Sequence, residues 1–422
     1  MRLLIKKATI ISPNSKHHKK VRDILIKDGT IIKIAASITE KANKTIKHEG
    51  LHVSEGWVDM QTNLCDPGYE YKENIDSGLL AAAKGGFTKV LVSPQTLPVI
   101  DSKSSIEYLL KKASTTATEL MPIGALTKGL DSKELAEMFD MHESGAIAFS
   151  NGKKYINNPS LLKMGLLYCK NFNGLIISSA NINNINPNAV MHEGKTSTSL
   201  GLSGSPTIAE EISIIRDISI LKYTNGKLHF GTISTTEAIN AIKRAKKEKL
   251  KISAGVAAYN LLLTDESLTS FDTNFKVDPP LRSKKEVNAL INGIKNKTID
   301  VICSDHKPEN IENKKCEFEY AKSGMIGLQT TFSCTNTALR NKIDLSQIIE
   351  LFTVNPRKIL GIANTEISVG NKAEMTLFNP NEEYTYTQDS IVSKSKNSPF
   401  LNRPLIGRVI GVVNEKKFIL NK

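Results

Sequence analysis

Eight short strand-like runs, each followed by a stretch of helical period, constrain this chain more than any other feature. The runs are Val58 to Thr62, Lys89 to Ser93, Glu119 to Ala125, Ala146 to Ser150, Gly174 to Ser179, Lys227 to Ser234, Lys251 to Ala257 and Asp300 to Ser304. Alternating β and α segments build a parallel sheet with helices outside it, and eight strands close such a sheet into a barrel. The intervening periodicity predicts helices over Ile75 to Lys84, Ser104 to Ala113, Lys133 to His142, Ile208 to Tyr223, Thr236 to Lys249 and Lys284 to Lys297. Several of these begin after Ser, Thr or Asp, residues whose side chains satisfy free N–H groups at a helix start.

The two chain ends read differently. Residues 2–11 and 21–35 cluster Ile, Leu and Val around Asp28-Gly29, a two-residue hairpin signal, and strand-like alternation returns over Gly370 to Pro380 and Leu405 to Leu420. The ends also share a charge bias. Of the net +13, residues 1–50 carry +8 and residues 381–422 carry +3. The expected architecture is therefore an α/β protein, a (β/α)8 TIM barrel over residues 53–366, beside a small β-sandwich built from residues 1–52 and 367–422. The stretch Ser393 to Pro399 reads as a mobile polar loop.

Several function classes are excluded on composition. The basic excess is lysine scattered among Asn and Ile, without an Arg-rich stripe interleaved with aromatics, so no nucleic-acid partner is expected. Nowhere do about 18 apolar residues follow one another, so no membrane association is expected. Five cysteines, an odd number with no CxxC pair, suit a reducing cytoplasm better than a disulfide framework.

Motifs spread along the chain carry a resemblance. They are Asp66-Pro67-Gly68, Gly85-Gly86-Phe87-Thr88, His192-Glu193-Gly194, Asp278-Pro279-Pro280-Leu281-Arg282, Ser304-Asp305-His306 and Asn355-Pro356. In this order they resemble the dihydroorotases of the multifunctional-complex type, within the amidohydrolase superfamily. The resemblance implies a barrel with a small β domain, and a reaction that interconverts dihydroorotate and carbamoyl aspartate on barrel-bound zinc. Opening a cyclic amide near neutral pH needs a hydroxide nucleophile, a Lewis acid and a proton acceptor, and zinc with its imidazole and carboxylate ligands supplies the first two.

At the positions that match the family's ligands, this chain differs. The first-strand His-x-His resembles Gln61-Thr62-Asn63, and the bridging acid of Phe-Ser-Asp-Asp-Gly falls at Asn151 in Phe149-Ser150-Asn151-Gly152. The fifth-strand His falls at Ser179, with a one-residue uncertainty toward Ser178, and the sixth-strand ligand falls at Thr232, while the earlier His229 of that motif remains. The substrate-gripping Arg before Asp-Pro-Gly is Cys65, and the Asn of Pro-Asn-Thr is Gln95. A thiol cannot make a bidentate charged contact with a carboxylate. Asp305 keeps the family's general-base position, with His306 beside it, and the surviving Gly and Pro positions shape backbone turns.

Three readings follow. In the first, the protein is a non-catalytic dihydroorotase homologue with no zinc, a structural or regulatory partner of aspartate transcarbamoylase and itself a homodimer. In the second, it is an active dihydroorotase or cyclic amidohydrolase with an altered or metal-poor site. In the third, it is a small-molecule sensor. Candidate site residues are Asp305 as residual base and His306, Gln95 and Cys65 as degenerate substrate positions.

Overall fold

The computed structural model describes residues 1–113, 116–180 and 182–421. Its centre is a parallel barrel of eight strands: Trp57–Thr62, Phe87–Val92, Glu119–Ala125, Ala148–Ser150, Ile176–Ser178, Leu228–Phe230, Ile252–Ala257 and Val301–Cys303. Every run read from the sequence overlaps one of them, the first two strands beginning one and two residues before their runs. The first and eighth strands meet through a parallel bridge between Thr62 and His306, which closes the ring.

Period-two alternation sorts the strand residues into two cores. Val58, Met60, Leu91, Met121, Ile123, Ala148, Ile177 and Val301 form one buried cluster inside the ring. Val90, Leu120, Phe149, Ile176, Leu228 and Phe230 point outward and pack with Leu79, Leu109, Leu166, Ile214 and Ile242 of the surrounding helices. Those helices include Ile75–Lys84, Lys103–Lys112, Thr207–Thr224, Thr236–Lys247 and Lys284–Lys295, close to the spans expected. Ile75–Lys84 starts where Asn74 accepts from Ser77 N at 2.9 Å.

One helix is much shorter than its periodicity suggests. Over Lys133 to His142 only Met138–Glu143 is helical. The preceding backbone is engaged by the loop after the third strand: Lys128 N donates to Glu134 O at 3.1 Å and Ala136 N to Leu126 O at 3.0 Å. Those tertiary bonds displace the helical ones.

Both chain ends join in one eight-stranded sheet. Its order is Lys417–Leu420, Pro404–Asn414, Glu374–Thr385, His52–Glu55, Arg2–Ile10, Val21–Lys27 and Thr30–Ala35, with Lys44–Ile46 added beside Arg2–Ile10. The sheet curls until Ile31 N reaches Asn371 O at 2.9 Å, and its two arms enclose one core containing Leu3, Ile24, Ile31, Met375, Leu377 and Val413. Asp28 and Gly29 both adopt positive φ at the hairpin, the geometry that a tight two-residue turn requires. Because His52–Glu55 pairs with Glu374–Thr385, the seam between sheet and barrel falls at Gly56. Trp57 fills that seam, 4.8 to 6.2 Å from the rings of Phe87, Phe332, Phe352 and Phe378. Beside it the buried Arg357 donates to Gly56 O at 2.8 Å and pairs with Glu374.

The segment Ser393 to Pro399 is locked in place, contrary to its polar composition. Ser393 donates to the buried Glu73 carboxylate, Ser395 Oγ to Lys72 O at 2.7 Å, and Asn397 Nδ2 to Gly324 O at 3.1 Å. Polar side chains here replace water as partners of buried groups. No helix of the described residues is long and apolar enough to cross a membrane.

Candidate functional site

The C-terminal ends of the barrel strands converge on a small cavity of about 30 Å³, lined by Gln61, Asn63, Gln95, Ser150, Lys153, Ile177, Asp305 and His306 among others. Such strand ends are where barrel proteins gather their chemistry.

Asp305 follows the eighth strand with φ +44°, a left-handed conformation that Asp tolerates better than most residues. Its side chain is 6% exposed and both oxygens are engaged: Tyr259 donates to Oδ2 at 2.5 Å and the Lys153 ammonium lies 2.7 Å from Oδ1. Burial, together with the neighbouring Asp305 charge, pushes the Tyr259 hydroxyl well above its ordinary pKa, so it acts as a neutral donor. Lys153 stands on the turn after the fourth strand, where Gly152 takes φ +62°. A side chain at that glycine would place its Cβ 2.4 Å from the Gln95 carboxamide. That carboxamide in turn accepts from Lys153 N at 3.0 Å. The ammonium also donates to Asp278 O at 2.7 Å and Thr232 Oγ1 at 3.3 Å.

The other positions singled out in the sequence divide between the mouth and its walls. The Gln61 carboxamide packs over Gly231, 2.5 Å from where a Cβ would stand. Asn63 accepts from Cys65 N at 2.8 Å, and Asn151 exchanges hydrogen bonds with Thr127 at 2.9 to 3.2 Å, so both amides are committed to backbone and loop structure. Ser178 donates to Asp217 at 2.8 Å on the helix side of its strand, which by alternation leaves Ser179 on the interior side. Cys65 lies outside the cavity lining, 4% exposed beside Pro308 O, and burial pushes its thiol up to about 12.

His306 borders the cavity, but its ring faces the wall. Nδ1 accepts from Gly327 N at 3.1 Å and Nε2 lies 3.6 Å from Glu73. Burial alone would raise the Glu73 carboxyl; His306, Ser393 and Ser77 outweigh it and hold the group below the ordinary range. His229 is fully buried, bonded through Nδ1 to Ser253 Oγ at 2.8 Å, and burial lowers its pKa to about 3. A further buried network, Arg282 with Ser205 O at 2.8 Å, Ser234 Oγ at 3.0 Å and Glu210 at 3.8 Å, braces the loops around the mouth. Among the described residues no three His, Cys, Asp or Glu side chains gather in a way that could hold a metal ion.

Sequence reasoning missed Lys153 and Tyr259. Lys153 stands two residues past Asn151, where a lone lysine reads as surface charge. Tyr259 lies in Ala257-Ala258-Tyr259-Asn260, which offers no signal of contact with Asp305.

The chain is 39% identical over 411 residues to the dihydroorotase of Ruminiclostridium cellulolyticum, covering 97% of this chain and 96% of that protein. The dihydroorotase of Caldicellulosiruptor saccharolyticus is 40% identical over 423 residues, covering 99% and 98%. The chain belongs to the dihydroorotase family. A family model described as dihydro-orotase-like matches residues 51–238. Among solved structures, the L-hydantoinase (dihydropyrimidinase) of Arthrobacter aurescens superposes with a TM-score of 0.86 at 22% identity, covering 100% of this chain and 96% of that one. That likeness concerns the amidohydrolase-type fold alone. Within the family's scaffold, Gly68 is a glycine that the backbone requires. Gly68, at φ +91°, would place a Cβ 1.9 Å from Leu97 O. Asp66, fully buried, accepts from Ile75 N at 3.2 Å and pairs with Lys112 at 2.8 Å.

Proposed function

We propose that this dihydroorotase-family protein does not hydrolyse dihydroorotate and serves pyrimidine synthesis as a structural or regulatory subunit. The observation that carries this reading is the Lys153 ammonium, 2.7 Å from Asp305 at the barrel mouth. A general base must be free to take a proton from the attacking water. Asp305 is instead saturated by a cation and a phenol.

The donor set also fails to fit the zinc that the family resemblance implies. Zinc takes thiolate, imidazole and carboxylate ligands. The matching positions offer carboxamides at Gln61, Asn63 and Asn151, and hydroxyls at Ser179 and Thr232. The partner suggested by the resemblance is aspartate transcarbamoylase, with this chain a homodimer. Neither a nucleic acid nor a membrane is part of the reading. Five free cysteines, four of them buried, support a reducing cytoplasm.

A second reading is favoured by the relatives. Proteins matched along nearly their whole length at 35 to 40% identity carry the name dihydroorotase, which supports activity on dihydroorotate with an altered site. Elemental analysis of purified protein, run beside dihydroorotate and carbamoyl-aspartate assays, separates the two. The first reading expects no stoichiometric zinc and no turnover above buffer. Turnover that tracks bound metal and vanishes in Asp305→Ala overturns it. Failure to co-purify with aspartate transcarbamoylase, both at physiological concentration, removes the proposed partner.

A further inference from the structure

We infer that Lys153 is a built-in counter-cation which ties the loops of the barrel mouth together, in the place where the family resemblance would put a divalent ion. The inference deepens the non-catalytic reading and rests on it only for the absence of a competing ion. Its basis is the set of groups that converge on one residue. The ammonium meets Asp305 after the eighth strand, Thr232 after the sixth and the carbonyl of Asp278 in the segment beyond the seventh, while the Lys153 N–H meets Gln95 after the second. A lysine on the fourth-strand turn thus ties together loops that are 58 to 152 residues away in sequence.

Charge explains why this arrangement is self-contained. Asp305 at 6% exposure requires a cation or a proton, and Lys153 at 12% exposure requires an anion. Each is the other's compensation, and the three oxygen acceptors at 2.7 to 3.3 Å are as many as an ammonium has protons to donate. A divalent ion approaching Asp305 would have to displace that ammonium. Removing one partner leaves an uncompensated buried charge, a far larger loss than the net value of the pair. The linking of the mouth loops is therefore coupled to one ion pair and independent of metal.

The test is a double-mutant cycle on the full chain, read by thermal unfolding, with Lys153→Ala, Asp305→Asn and the combined variant. Lys153→Ala is expected to lower Tm by roughly 5 °C or more. The combined variant is expected to lose clearly less than the sum of the two single changes. EDTA and added zinc chloride should leave the wild-type Tm unchanged, and ethylammonium chloride should raise the Tm of Lys153→Ala where sodium chloride does not. If Lys153→Ala does not fold, recovery of a folded protein by the added Asp305→Asn change gives the same answer. Additive losses, or a wild-type Tm that falls in EDTA, overturn the inference. The dihydroorotate assay keeps the two ideas apart. A wild type that is active with a coupled Lys153–Asp305 pair refutes the proposed function alone, and an inactive wild type with additive losses refutes the counter-cation alone.

Discussion

His229 offers a quantitative check on the site. It lies fully buried just below the barrel mouth, with Nδ1 bonded to Ser253 Oγ at 2.8 Å. Burial lowers its pKa to about 3, whereas an unfolded chain has a histidine near 6.5. Between those values the unfolded chain binds a proton that the native protein refuses, so stability falls as pH drops from about 6.5 toward 3. At pH 5 the loss from this one group amounts to about 2 kcal/mol, from roughly 1.5 pH units at about 1.4 kcal/mol each. The perturbation is His229→Asn, which keeps a polar atom near Nδ1 and cannot titrate. Urea unfolding of both proteins at pH 7 and pH 5 should show the wild-type advantage shrinking by about 2 kcal/mol at the lower pH. An advantage that stays the same at both pH values would refute a neutral, desolvated His229 and reopen it as an exposed or ligand-bearing group.

Other outcomes follow from the same contacts. Arg282→Met removes the cation facing Glu210, both about 1% exposed in their side chains, and should cost about 3–5 kcal/mol in denaturant unfolding, part of it recovered by adding Glu210→Gln. Trp57→Ala empties the seam between barrel and terminal sheet and should cost about 3–5 kcal/mol. Glu73→Gln should flatten the acid limb of the stability curve: the wild-type carboxylate is held below its ordinary pKa, so its stabilisation is present above the carboxylate range and lost as pH falls through it. Gly68→Ala, at φ +91° with its Cβ 1.9 Å from Leu97 O, should destabilise by about 3 kcal/mol or more, seen as a lowered urea midpoint.

What the sequence by itself determined is what local physics controls. β-branched runs and helical period placed all eight barrel strands, and Asp28-Gly29 announced its hairpin, because each depends on residues only a few positions apart. Tertiary structure alone decided where polar side chains found partners. Ser393 to Pro399 reads as a solvated loop until Glu73, some 320 residues away, is seen to accept from it, and Lys133 to Glu137 reads as helix until Glu134 and Ala136 bond elsewhere. Lys153 is the clearest case. Its charge is plain in the sequence, but an ammonium becomes structural only where Asp305, Thr232 and the Asp278 carbonyl are brought around it, and closing the barrel is what assembles them.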